Sequence, residues 1–152
     1  MSTVLRFLFV IPIGFIAACL TAAVAMLWPF LDVPPGGAGD PVFLFHASVA
    51  FAAQSAQIGS AVLLPFALFV VATEIFALSS LLLHLAAGLL GGMGVLFAAY
   101  GRDVPHMSVQ TAILVASLCF CLVYWIIAGR RAGAWRRGGR ASRPVSASNP
   151  EG

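Results

Sequence analysis

Residues 42–100 read VFLFHASVAFAAQSAQIGSAVLLPFALFVVATEIFALSSLLLHLAAGLLGGMGVLFAAY, and where this run is cut decides the fold. As one helix, its 59 residues would reach about 88 Å, nearly three times the ~30 Å hydrocarbon core of a bilayer. The run must double back. Thr73-Glu74 and Ser79-Ser80 are the only polar cluster near its middle, so the turn belongs there, with Ser79 or Ser80 as candidate N-cap. This predicts one membrane segment over 47–72 and another over 79–100, with residues 42–50 extending the first beyond the membrane or lying along its surface.

The rest of the chain supports lipid as the solvent. Of its 152 residues, 61% are hydrophobic and 9% charged, against roughly a quarter charged in a soluble domain. A soluble fold of this size could not cover so much apolar surface. Leu5 to Leu31 forms a further apolar segment. Pro12 near its start is tolerable there, and Trp28 near its end suits an interfacial aromatic belt. Arg6, the apolar run and Ala23-Val24-Ala25 also resemble a cleavable signal peptide. Hydrophobicity continues through Met26 to Leu31 without a polar break, which favours a retained helix.

Residues 32–41, rich in proline and glycine, read as a loop. Residues 101–105 form another, and Ser108 is a candidate cap for a last segment over 108–128, closed by Tyr124 and Trp125. The expected fold is therefore all-α, a polytopic bundle of four transmembrane helices over residues 1–133. An arginine-rich tail over 134–152, with almost nothing to form a core, is expected to be disordered.

Arginine placement predicts orientation. All eight basic residues are arginine, and Arg130, Arg131, Arg136, Arg137, Arg140 and Arg143 lie within the last 23 positions. With Arg6 they put both termini on the cytoplasmic side of a bacterial inner membrane. Contact of the six tail arginines with anionic lipid is the expected role of that run, in preference to nucleic-acid binding.

Small residues mark the expected helix contacts. Gly14, Ala18 and Ala22 recur every four positions, and Gly88-x-x-x-Gly92 repeats the pattern. His84 shares a stripe with Ser80, Gly88 and Gly92, facing a neighbouring helix rather than lipid. Glu74 suggests an ion or proton pathway, but its place in the turn favours a hydrated headgroup-level position. Gln54 and Gln57 share one face and suit interhelical hydrogen bonding. Together, Gln54, Gln57, Glu74 and His84 are the candidate polar pathway or interhelical contacts.

No catalytic residue, metal or cofactor is expected. Asp40, His46, Asp103 and His106 fall near one face but lack a ligand spacing, so they read as solvated loop residues. The glycine-rich run 88–94 lacks the lysine of a phosphate loop, and no hydrolase or metalloprotease signature occurs. Cys19, Cys119 and Cys121 read as small apolar fillers.

The ending Tyr124-Trp125-Ile126-Ile127-Ala128-Gly129-Arg130-Arg131-Ala132-Gly133, with Ile11-Pro12-Ile13-Gly14-Phe15 near the start, resembles small uncharacterised inner-membrane proteins of alphaproteobacteria. The resemblance implies the four-span topology and no activity. Such proteins often carry a basic residue in the middle turn, where this chain has Glu74. The expected function is a structural, accessory or assembly subunit acting through helix packing, as a homo-oligomer or in a larger membrane complex. The alternative is a small oligomeric transporter or channel with Glu74 and His84 on its pathway.

Overall fold

A computed structural model of the chain describes residues 6–103 and 105–131. These residues contain helices and turns and no strand. Four helical stretches are long and apolar enough to cross a membrane: Leu8–Phe30, which contains α1 (Ile11–Leu27), then α2 (Pro41–Ile75), α3 (Leu81–Tyr100) and α4 (Met107–Ile127). The protein is a multi-pass membrane bundle.

Local chemistry sets the ends of each helix. Residues Arg6–Val10 form a π-helical turn before α1, whose first turn holds Pro12. Proline has no N–H to close the i→i−4 bond, so the wider turn is accommodated just ahead of it. A 3₁₀ turn at Trp28–Phe30 ends the first span. The loop after it contains a 3₁₀ turn at Gly37–Gly39, and Asp40 then caps α2 by accepting the Val42 N–H at 2.9 Å. Capped there and continued by Pro41 at its first position, α2 starts six residues before the expected 47. Residues 42–50 are one helix with the span.

The other end of α2 also differs from expectation. Thr73 and Glu74 lie inside the helix, not in the turn. The chain leaves α2 through a Schellman pair, Leu78 N–H to Thr73 C=O at 2.9 Å and Ala77 N–H to Glu74 C=O at 3.4 Å. Ala77 takes the left-handed conformation at φ 54°. Ser80 occupies the N-cap of α3, but its side chain makes no capping bond. Ser108 does not cap α4. His106 does, its Nδ1 accepting from the Ser108 N–H at 3.4 Å and meeting Ser108 Oγ at 2.9 Å.

Four alternating spans bring residues 6, 76–80 and 131 to one end, called the arginine end below. Helix α1 packs on α4 and α2, and α4 packs on α3. The buried core lies mostly where α1, α2 and α4 meet: Ala18, Cys19, Ala22, Val70, Ala116, Phe120, Tyr124 and Ala128. Phe15, Phe66 and Phe120 fill its centre with ring centroids 4.7–5.9 Å apart. Most other large apolar side chains point outward, among them Leu64, Leu68, Leu82, Leu90 and Phe97. That inversion suits a bundle solvated by lipid.

The small-residue stripes fall on these joints. Gly14, Ala18 and Ala22 are buried. A β-carbon on Gly14 would meet Tyr124, Ile127 and Ala128 at an ordinary 3.4–3.5 Å. Gly88 and Gly92 are tighter. A β-carbon on Gly88 would lie 2.9 Å from the Ser117 carbonyl and 3.0 Å from Cys121. On Gly92 it would overlap the Ser117 hydroxyl and lie 3.1 Å from Ser117 Cβ. Only glycine lets α3 and α4 approach so closely.

Helices α2 and α3 follow one another in sequence, yet they do not pack side by side. Between them a cleft of about 460 Å³ opens, with α1 and α4 as its floor.

Candidate functional site

Two features concentrate the polar chemistry of the bundle, and they lie at opposite ends. At the arginine end, the first turn of α3 places His84 in full burial, 0% exposed. Its Nδ1 stands 2.9 Å from the Ser80 carbonyl oxygen. A carbonyl only accepts, so the ring donates from Nδ1, and the neutral imidazole presents a lone pair at Nε2. That Nε2 is buried with no hydrogen-bond partner among the described residues. It faces Gly129, where a β-carbon would come within 2.9 Å.

Aromatic rings complete the enclosure. Phe69 of α2 meets His84 edge-on at 5.1 Å, and Tyr124 of α4 lies nearly parallel to it at 6.3 Å. Tyr124 in turn contacts Phe66 at 4.7 Å, so the aromatic series runs from the core centre to the histidine. An unpaired buried acceptor costs about 1–3 kcal/mol.

Trp125 fastens the same end. Its indole Nε1–H donates to the Ser79 carbonyl at 2.9 Å, tying the α2–α3 turn to α4. The Arg130 guanidinium carbon stands 4.8 Å from the Trp125 ring centroid, a cation–π distance. Glu74 and Thr73 are buried here as well, 6% and 3% exposed. Glu74 is therefore not a hydrated marker of the turn. Because α2 continues to Ile75 and the chain turns only afterwards, the carboxylate is carried on the helix into the packed end.

Gln54 and Gln57 lie elsewhere, about 30 Å and about 25 Å from Glu74 along α2 at 1.5 Å per residue. Both line the cleft near the opposite end. The Gln54 amide N–H reaches Met26 Sδ at 3.5 Å. Glu74 and His84 do not line the cleft. The structure thus brings Glu74 and His84 to one end, and the two glutamines to the other, with apolar walls between.

Among the described residues, no three His, Cys, Asp or Glu side chains gather to hold a metal ion. Asp40 caps α2, His46 Nδ1 bonds the Val42 carbonyl at 2.8 Å, and His106 caps α4. Arg136, Arg137, Arg140 and Arg143, like the expected tail boundary at 134, lie outside the described residues. Arg131 is described by its backbone, in the 3₁₀ turn Gly129–Arg131. No family model, curated protein or solved structure matches the chain.

Proposed function

We propose that this protein is a non-catalytic accessory subunit of a bacterial inner-membrane assembly, acting through helix packing, with both ends in the cytoplasm. The observation that carries the reading is the length of α2. Its 35 residues span about 52 Å, against ~30 Å of hydrocarbon. Tilting it to fit would take more than about 50°, outside the usual 0–40° range. Its C-terminal end is held at the arginine end, so the excess projects at the other. There Val42, Leu44, Phe45 and Val49 are half or more exposed. An apolar helix continuing past the bilayer calls for cover by another protein surface, a second copy or a different subunit.

The packed arginine end fits such a role. The α1 helix supplies Ala18, Cys19 and Ala22 to the core, which supports a retained helix over a cleaved signal. The arginines near and beyond residue 130 would hold that end to an anionic leaflet, each worth about 1 kcal/mol. The transporter reading has less support. His84 is sealed in, and the glutamines stand across an apolar cleft from it.

Photocrosslinking in intact membranes tests the proposal. A photoreactive residue in place of Phe45 or Val49 should give one discrete protein adduct, while one at Leu64, on the lipid-facing part of α2, should not. Lipid adducts alone at all three sites would count against an accessory role. Reporter fusions after Asp40 and Arg102 should report the periplasm. A fusion at Gly152 should report the cytoplasm.

A further inference from the structure

The cleft between α2 and α3 has the dimensions of a particular guest. It extends along α2 from Gln54 to Phe69, about 22 Å at 1.5 Å per residue. Spread over that length, the 460 Å³ open to the centre of a water molecule make a track about 5 Å wide, or about 8 Å from wall to wall with the ~1.4 Å water radius added on each side. An α-helix with side chains is about 10–12 Å across and would not enter. A chain of CH₂ groups, which touches its neighbours at about 3.5–4.0 Å, fits within such a passage.

The polar groups are placed for an amphiphile. Gln54 sits level with Met26, two positions before Trp28, which closes the first span. That is headgroup depth, where aromatic belts lie. Among the described residues the Gln54 amide has only a thioether, a weak acceptor, as hydrogen-bond partner. Gln57, one turn on, has no side-chain hydrogen bond among the described residues. Amide groups beside hydrocarbon without partners cost free energy that a bound acceptor would recover. Toward the arginine end, Phe66 and Phe69 make the cleft apolar.

We propose that the cleft binds one lipid-class amphiphile: a single linear acyl or isoprenoid chain lying between α2 and α3, whose head carries a carbonyl oxygen that accepts from Gln54 and Gln57. Head and tail then follow the polarity of the bilayer. The site differs from ordinary lipid contact in having walls on both sides and a floor. It is independent of the apolar extension of α2.

Glycines supply the test. A β-carbon on Gly91 or on Gly94 would meet nothing within 4 Å, so neither Gly91→Leu nor Gly94→Leu clashes where its side chain begins. Only Gly91 lines the cleft. The full-length protein, extracted in mild detergent and washed to remove loosely held lipid, is examined by native mass spectrometry. The wild type should retain one lipid per protomer, and Gly94→Leu should match it. Gly91→Leu should lose it, and Gln54→Leu with Gln57→Leu should weaken retention about tenfold. The mass of the released molecule separates a phospholipid from an isoprenoid quinone. A second measurement needs no variant: a phosphatidylcholine and a polyprenyl quinone analogue, each with a photoreactive group in its chain, are irradiated in membranes containing the wild-type protein. Adducts of at least one should concentrate on Gly91 and Val95 within the cleft, in preference to Leu90 and Phe97 on the exposed surface. Equal retention by the Gly91 and Gly94 variants would overturn the proposal, as would no retained lipid or adducts spread evenly over both sets of residues.

Discussion

Helix α3 treats its two sides differently. Toward α4, Gly88 and Gly92 stand where a β-carbon would meet a carbonyl oxygen at 2.9 Å and a serine side chain still closer. Toward α2, Gly91 meets nothing within 4 Å. The same residue type is a packing requirement on one side and a vacancy on the other. In a membrane, lipid tails are as apolar as leucine, so helices associate through close fit rather than expulsion of water. The α3–α4 joint has that fit, and the α2–α3 side does not. The bundle is therefore a packed unit of α1, α4 and α3, with α2 joined to it chiefly through α1.

The largest expected effect sets these faces against each other. Gly88→Ala forces a β-carbon onto the Ser117 backbone, which cannot rotate away, and should cost about 2–3 kcal/mol. Gly91→Ala adds helix propensity without a clash and should stabilise by up to about 1 kcal/mol. Equilibrium unfolding in mixed micelles reads both. Equal effects at the two positions would mean that the asymmetry of α3 is not real.

Next comes the sealed end. Gly129→Ala would bring a β-carbon within 2.9 Å of His84 Nε2 and 3.0 Å of Trp125, costing about 1–2 kcal/mol. If the histidine is the obstacle, the cost should shrink when His84 is already alanine. A double-mutant cycle measures that coupling. Additive losses would place the obstruction at Trp125 instead.

These contacts show which parts of the molecule could be read from the chain. The four spans were legible because length and hydropathy are local. The i, i+4 spacing of His84, Gly88 and Gly92 puts them on one face by arithmetic, and that face is buried. The ends of α2 were harder. Asp40 looked like a loop acid and is a cap, while Glu74 looked like a turn residue and lies in the last turn of the helix. Polarity marks the neighbourhood of a chain reversal, but hydrogen-bond closure decides the residue. His106 capping α4 was missed because a ring nitrogen did the work expected of Ser108. The cleft had no local signal. It exists because two consecutive helices do not pack, and of the two further glycines in the run only Gly91 lines it.

A smaller effect concerns the clasp between the α2–α3 turn and α4. Trp125→Phe keeps the ring and removes the N–H that donates to Ser79. The loss should be about 1 kcal/mol for the hydrogen bond. Lipid retention in the cleft should fall little, because Trp125 does not line it. A large loss of retention would show that the turn, and not the floor, holds the cleft open.

The smallest effect is a gain. Ala77 closes α2 at φ 54°, the left-handed conformation that places a side chain too near the following carbonyl and costs about 1–2 kcal/mol outside glycine. The Schellman bonds from Ala77 and Leu78 require that conformation, so the chain cannot relax without losing them. Ala77→Gly removes the steric cost. It also gives the unfolded chain more freedom, which takes back about 0.4–1 kcal/mol. The net should be a stabilisation of about 0.5–1 kcal/mol, measured by the same unfolding experiment. Because the substitution leaves the backbone path unchanged, α2 and α3 should keep their separation and the cleft its occupant. Stabilisation with unchanged lipid retention would show that the open side of α3 is set by the floor of α1 and α4. Destabilisation would mean that the left-handed turn is not the conformation held in the bilayer, and the divergence of α2 from α3 would then need another cause.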